Sequence, residues 1–470
     1  DLNTAYASSG ISNLGNEAVT LTDTTLAASV LNTLDGNTSG TVNANTVSTL
    51  SGAAADLNTA YGSSGISNLG DEAVTLTDTS LAASVLNTLD GNTSGTVDAG
   101  TVTTLSGSAS DLITAYASGG ISNLGDEAVS VSSGTASTSQ ANTLAAATSG
   151  GVTATVSDGD LSTLAGLTET GNAYTITITD TSVDAAALNT LDGKTTVAVN
   201  ASNITTLTGA AADLNTAYAA NGSSLTGLGN EDITLSDTTL AVSVLNTLDG
   251  NTSGTIDASN ITTLTGAAAD LNTAYDSAGI SGLANEAVTL SDTTLAASVL
   301  NTLDGHTSGT INASSINTLT GSAADLITAY ASGGITGLGD EAVNVSSGTA
   351  STSQATTLAA ATSGIVTVTI SDGDLTTLDG LTETDNAYSI TVSDGSVDAA
   401  ALNTLDGKTT VIVDASSVTT LTGTAAEANA AYASSGISGL ANEAVTLSDT
   451  SLAASVLNTL DGNTSGTIDA

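Results

Sequence analysis

Residues 1–55 and 56–110 are near copies of one another. They differ at 8 of 55 positions, among them Asn16/Asp71, Thr25/Ser80 and Ser48/Thr103. Self-similarity at a fixed period is the mark of a solenoid or array, in which each unit buries its apolar face against its neighbours. A chain made by copying one unit offers no single position for a catalytic centre, so no enzymatic activity is expected. The units are 1–55, 56–110, 111–212, 213–269, 270–324, 325–426 and 427–470, read as one continuous array over 1–470. The order short, short, long recurs, with Asp111 and Asp325 at equivalent points. Both long units carry one departure, SVSSGTASTSQANTLAAATSG at 130–150 and NVSSGTASTSQATTLAAATSG at 344–364.

Short β-branched runs set a finer period. Val19-Thr20-Leu21, Thr41-Val42, Val74-Thr75-Leu76 and Thr96-Val97 alternate as a strand does, with side chains on opposite faces. The runs recur about every 21–24 residues, and an 11-residue segment of the type DLNTAYASSGI stretches some coils to about 33. After each strand, Thr24 to Asp35 places Leu26, Ala27, Val30, Leu31 and Leu34 on one helical face. Asp23 stands at the N-cap position and Gly36 where a left-handed C-terminal residue belongs. A shorter stripe, Val47 and Leu50, follows in the alternate coil, and Leu57, Ala60 and Tyr61 start another helical turn.

These patterns predict a repeat solenoid with a parallel strand plus short helix in each coil of about 22 or 33 residues. Val19, Val42, Val74 and Val97 are expected in successive neighbouring strands, over an interior of Leu26, Val30, Leu34, Val47 and Leu50. Asp23, Asp35 and Asn37 are expected at turns. The competing architecture is an all-β parallel solenoid in which VLNTL is a second strand. Parallel strands stack at about 4.8 Å and helices at about 8–10 Å, so the two ladders cannot advance at one rate without some adjustment.

Phe, Trp, Met, Cys and Pro are absent, so the core is Leu, Val, Ile and Ala, and no disulfide or thiol chemistry is available. Nine Tyr are the only aromatics, and Tyr6, Tyr61, Tyr116, Tyr218, Tyr275, Tyr330 and Tyr432 share one phase of the repeat. They read as packing anchors or, alternatively, as stacking platforms. Net charge is −45, from 47 acids against Lys194 and Lys408. With nothing to neutralise phosphate, nucleic acid and anionic membranes are excluded as direct partners. Such self-repulsion calls for screening salt or bound cations, which points to an extracellular setting. The sequence has no apolar run of membrane-spanning length, hence no expected membrane insertion. It opens and closes inside repeats, so the expectation is a longer chain or copies stacking end to end into a fibre.

Gly193-Lys194-Thr195 and Gly407-Lys408-Thr409 look like the end of a phosphate-binding loop, but Leu188 and Leu402 stand where its first glycine is required. His306 replaces the Asn of Asn37, Asn92 and Asn251 and reads as drift at a turn. Asp158, Asp160, Asp372 and Asp374 flank Asp-Gly turns and are the candidate calcium ligands, because paired carboxylates supply hard oxygens. An ordinary turn with an N-capping Asp explains the same residues. No motif requires a cofactor.

The wording LAASVLNTLDGNTSG (26–40), ITTLTG followed by AADLNTAY (204–218), GDEAVTL (70–76) and LSDTTL (290–295) resembles giant repetitive cell-surface proteins of marine picocyanobacteria. More loosely it is similar to large secreted bacterial adhesins. The resemblance covers the whole chain and brings no catalytic residues with it. It implies a non-enzymatic extracellular role: the acidic repeat shaft of a surface filament, sheath or surface layer. The alternative it implies is the stalk of a large adhesin whose binding domains lie outside this sequence.

Overall fold

A computed structural model describes all residues from Asp1 to Ala470. They divide into two compact units, residues 1–234 with 251–254 and residues 235–250 with 255–470. Both are built from one element cycle, a parallel solenoid of short strands and short helices. The chain forms 36 strands and 18 helices, so a coil is typically two strands and a helix. VLNTL lies in helix Ala28–Asn37, which removes the all-β alternative.

Every strand pair is parallel. In the first unit Val19 pairs with Val42 and Val42 with Ile66, at intervals of 23 and 24 residues. A second column runs Leu26, Leu50, Val74, Val97 and Ile121. In the second unit Leu240, Leu264, Val288, Ile311 and Ile335 form the corresponding column. The strands alternate as their sequence demands: Ala73 and Thr75 face out, Val74 and Leu76 face in.

This register corrects the expected order of Val19, Val42, Val74 and Val97. Val19 does pair with Val42 and Val74 with Val97, but Ile66 follows Val42 and Leu50 precedes Val74. The reason is that DLNTAY does not stretch a coil. It forms a helix of its own, Ala54–Gly62, and Ile66–Ser67 after it forms another strand. A 55-residue unit therefore holds two helices. Two coils of strand pairing take only 48 residues, from Leu26 through Leu50 to Val74. The remaining 7 residues are one extra strand, since Leu81, not Val74, is the copy of Leu26. The coil between helices Ala54–Gly62 and Ala83–Asn92 accordingly has three strands, Ile66–Ser67, Ala73–Leu76 and Ser80–Ala82. One strand column ends there and another begins, with Leu81 pairing Leu105 and Leu105 pairing Val129. Strand and helix ladders that advance at different rates are reconciled by this slip of one strand per unit.

The helix boundaries also move. The helix begins at Ala28, so Ala27 rather than Asp23 is its N-cap, and Leu26 belongs to strand Thr25–Ala27. Ala28, Leu31 and Leu34 are buried on it, whereas Val30 is 44% exposed, on the outer face. Burying each such Leu is worth about 1.5–3 kcal/mol. Gly36 is not left-handed; the helix continues through it to Asn37. The stretch Asn43 to Leu50 is not helical either. It is a turn between strands Val42–Asn43 and Thr49–Gly52, with Val47 and Leu50 buried as expected.

Helix ends close on neighbouring coils. Thr93, just past helix Ala83–Asn92, donates its hydroxyl to the Glu72 carbonyl at 2.8 Å. Gly95 then lies against the Glu72 backbone, where a Cβ would come within 2.1 Å of that same oxygen. This close approach explains the recurring Thr-Ser-Gly.

Candidate functional site

The chemistry-bearing residues are overwhelmingly carboxylates, and three sets of them recur. The first joins a coil to the one before it. Asp78, the copy of Asp23, accepts from the Ala54 N–H at 2.7 Å and so caps the helix one coil back. Helix Ala54–Gly62 has Ala53 at its own N-cap and no side-chain cap of its own, and its first N–H groups need acceptors. Asp292, Asp394 and Asp449 do the same for Ala268, Leu375 and Ala425 at 2.8, 2.6 and 2.7 Å.

The calcium candidates belong to this capping system. Asp158 accepts from Thr138 N–H at 2.6 Å, and Asp372 from Thr352 N–H at 2.7 Å. Asp160 and Asp374 cap their own one-turn helices, Leu161–Leu164 and Leu375–Leu378, through Thr163 and Thr377 N–H at 3.0 and 2.9 Å. Ser162 and Thr376 hydroxyls donate to the same carboxylate oxygens at 2.5 Å. These hydroxyl bonds, with the backbone bonds after them, hold both carboxyls below the usual Asp range. The structure thus places all four as helix caps, and no cluster of three or more metal-ligating side chains forms around them.

The second set staples helix ends. Asp35 and Asp90, within helices rather than at turns, accept from Ser63 and Ser118 hydroxyls of the next coil at 2.7 Å. Asn32 and Asn87 donate side-chain N–H to the Asp56 and Asp111 carbonyls of the next helix at 2.8 and 2.9 Å.

The third set lies inside. Glu72, Glu127, Glu231 and Glu286 are fully buried, and Glu341 and Glu443 nearly so. Each accepts from a repeat tyrosine: Tyr61 to Glu72 at 3.0 Å, Tyr116 to Glu127 at 2.8 Å, Tyr218 to Glu231 at 2.9 Å and Tyr275 to Glu286 at 3.0 Å. Tyr330 bonds Glu341 and Tyr432 bonds Glu443 in the same way. A backbone N–H two residues before the glutamate completes the site, as Gly70 does for Glu72 at 2.8 Å. Burial, with the adjoining carboxylate, pushes these phenols well above their ordinary value, that of Tyr432 to about 12. Sequence reading found the tyrosines as anchors but missed their partners. The signal was present, because Glu recurs eleven residues after each tyrosine of the shorter spacing.

Two further groups stand apart from these sets. His306 ends helix Ala297–His306 and stacks on Tyr275, rings 5.5 Å apart and 1° from parallel. Lys408 Nζ pairs with Asp379 Oδ1 at 2.8 Å. No helix is long and apolar enough to cross a membrane. No family model, curated protein or solved structure matches the chain.

Proposed function

We propose that this chain is a non-enzymatic structural protein, the acidic repeat shaft of an extracellular surface filament, sheath or surface layer, with copies of itself as principal partner. The observation that carries the reading is the use made of the carboxylates. Asp78, Asp158, Asp292 and Asp372 complete the preceding helix, and Asp35 and Asp90 hold the following coil. A reactive acid has to be free to exchange protons or bind substrate, whereas these are occupied by backbone and hydroxyl donors of adjacent coils. Interlocking of this kind makes each coil depend on its neighbour, as a load-bearing array requires. The charge of −45 fits a salty exterior, where screening offsets self-repulsion.

Gold-labelled antibody against the chain, applied to intact cells of its source and viewed by electron microscopy, tests the proposal. Label along filaments or a coat on the outer surface is expected. Label confined to the cell interior, or native material consisting only of compact single particles, would overturn it.

A further inference from the structure

The two super-repeats differ informatively at one place on the helix ladder. In the second unit an open groove of about 680 Å³ runs beside helix Thr352–Ala361, lined by Thr352, Ser353, Thr356, Thr357, Thr377 and Gly380. It exists because the next helix, Leu375–Leu378, is a single turn and leaves most of that face uncovered. Thr352 is only 5% exposed, and its hydroxyl oxygen meets no partner. Its copy Thr138 is likewise unpaired, so an unsatisfied hydroxyl is built into this position of the fold.

The first super-repeat shows what the position can hold. Asn142 there extends its carboxamide across from helix Thr138–Ala147. Its Nδ2 donates to the Gly166 carbonyl at 2.7 Å, and its Oδ1 accepts from Thr168 N–H at 3.1 Å. In the second super-repeat Thr356 replaces Asn142, while Gly380 and Thr382 stand at the places of Gly166 and Thr168. The Thr356 hydroxyl gives its shorter bond to the Thr352 carbonyl at 2.9 Å and reaches Gly380 O only at 3.3 Å. Thr382 N–H has no protein acceptor. The donor that grips a carboxamide in one copy therefore stands open in the other, and the acceptor, Gly380 O, is held only by the longer bond from Thr356 and keeps a second lone pair.

We propose that this groove binds an acetamido sugar, an N-acetylated hexosamine. Its amide N–H would donate to Gly380 O and its carbonyl would accept from Thr382 N–H, repeating the two bonds of Asn142. The acetyl methyl fits against Ala360 and the threonine methyls, and the threonine and serine hydroxyls suit ring hydroxyls. Anionic ligands are disfavoured, because no cation lines the groove and Lys408 is already paired with Asp379, the residue before Gly380 in the chain. The inference stands apart from the shaft reading, since a soluble protein could carry the same groove.

Calorimetry and ligand-observed saturation-transfer NMR with N-acetylglucosamine, glucose and a glutamine-containing peptide test it on the full chain. N-acetylglucosamine should bind about tenfold better than glucose, the gain expected for two added neutral hydrogen bonds. Thr356→Asn, which restores the side chain of the other copy, should abolish binding without loss of folding. Asn142→Thr should open the equivalent groove and raise the stoichiometry from one to two. No binding at millimolar sugar, equal binding of glucose, tighter binding of the peptide, or binding unchanged by Thr356→Asn would each overturn the proposal.

Discussion

Tyr61, Tyr116, Tyr218, Tyr275, Tyr330 and Tyr432 each set a phenol against a buried glutamate, and that geometry fixes how the chain responds to alkali. Their folded values lie above the ordinary phenol value of 10, that of Tyr432 at about 12, with burial as the leading cause. Tyr174 and Tyr388, buried in strands Ala173–Thr175 and Ala387–Ser389 without a glutamate partner, are also raised by burial to about 12. A value raised by folding means stability that is complete below pH 10 and declines as the pH climbs through the folded values. Absorbance titration at 295 nm should therefore show most phenols still protonated at pH 11 in the native protein. The urea-unfolded chain should ionise them near pH 10, and the native fold should weaken over the same range. Native and unfolded curves that coincide would contradict the buried pairs. At this scale the sequence was partly legible. The common phase of the tyrosines was visible, but a glutamate in a chain of −45 reads as surface charge. Only the fold, by bringing Gly70 N–H and the Tyr61 hydroxyl onto one carboxylate, makes Glu72 an interior residue.

Some element identities were encoded locally, but strands Thr25–Ala27 and Thr49–Gly52 read as helical and strand Ile66–Ser67 did not read as a strand, and helix ends were not legible either. Alternation in Ala73–Leu76 and the stripe Ala28, Leu31 and Leu34 follow local periodicity. The caps could not be read locally, because Asp78 serves a helix that starts 24 residues earlier. Asp23 and Gly36 look like a start and a stop for the same reason that they are neither: the coil closes through its neighbours. Replacing Asp78 with Ala should strip Ala54 N–H of its acceptor and destabilise helix Ala54–Gly62 by about 1 kcal/mol, the usual value of an N-cap. Hydrogen exchange should then accelerate in residues 54–62, and Asp78→Asn should restore most of the protection. Faster exchange confined to residues 79–92, the helix following Asp78, would instead favour a local cap.

For the whole molecule, charge and register govern behaviour. With 47 acids and two lysines, and Lys408 already paired, repulsion opposes the folded state. Added sodium chloride should raise the melting temperature steeply up to about 0.15 M, where the screening length is about 8 Å, and less beyond. An unchanged melting temperature would show that the acids are spaced too far apart to matter. Register was the least legible feature of all. The runs at 21–24 residues were visible, but DLNTAYASSGI reads as stretching a coil to about 33, whereas pairing across it keeps to 24 residues, from Val42 to Ile66 and from Leu50 to Val74. Spin-label pairs test this slip cleanly in a chain without cysteine. Labels at Thr49 and Ala73, paired across adjacent strands, should show strong dipolar broadening, whereas labels at the repeat-equivalent Thr25 and Ser80 should show none. Strong coupling between Thr25 and Ser80, with none between Thr49 and Ala73, would contradict the account.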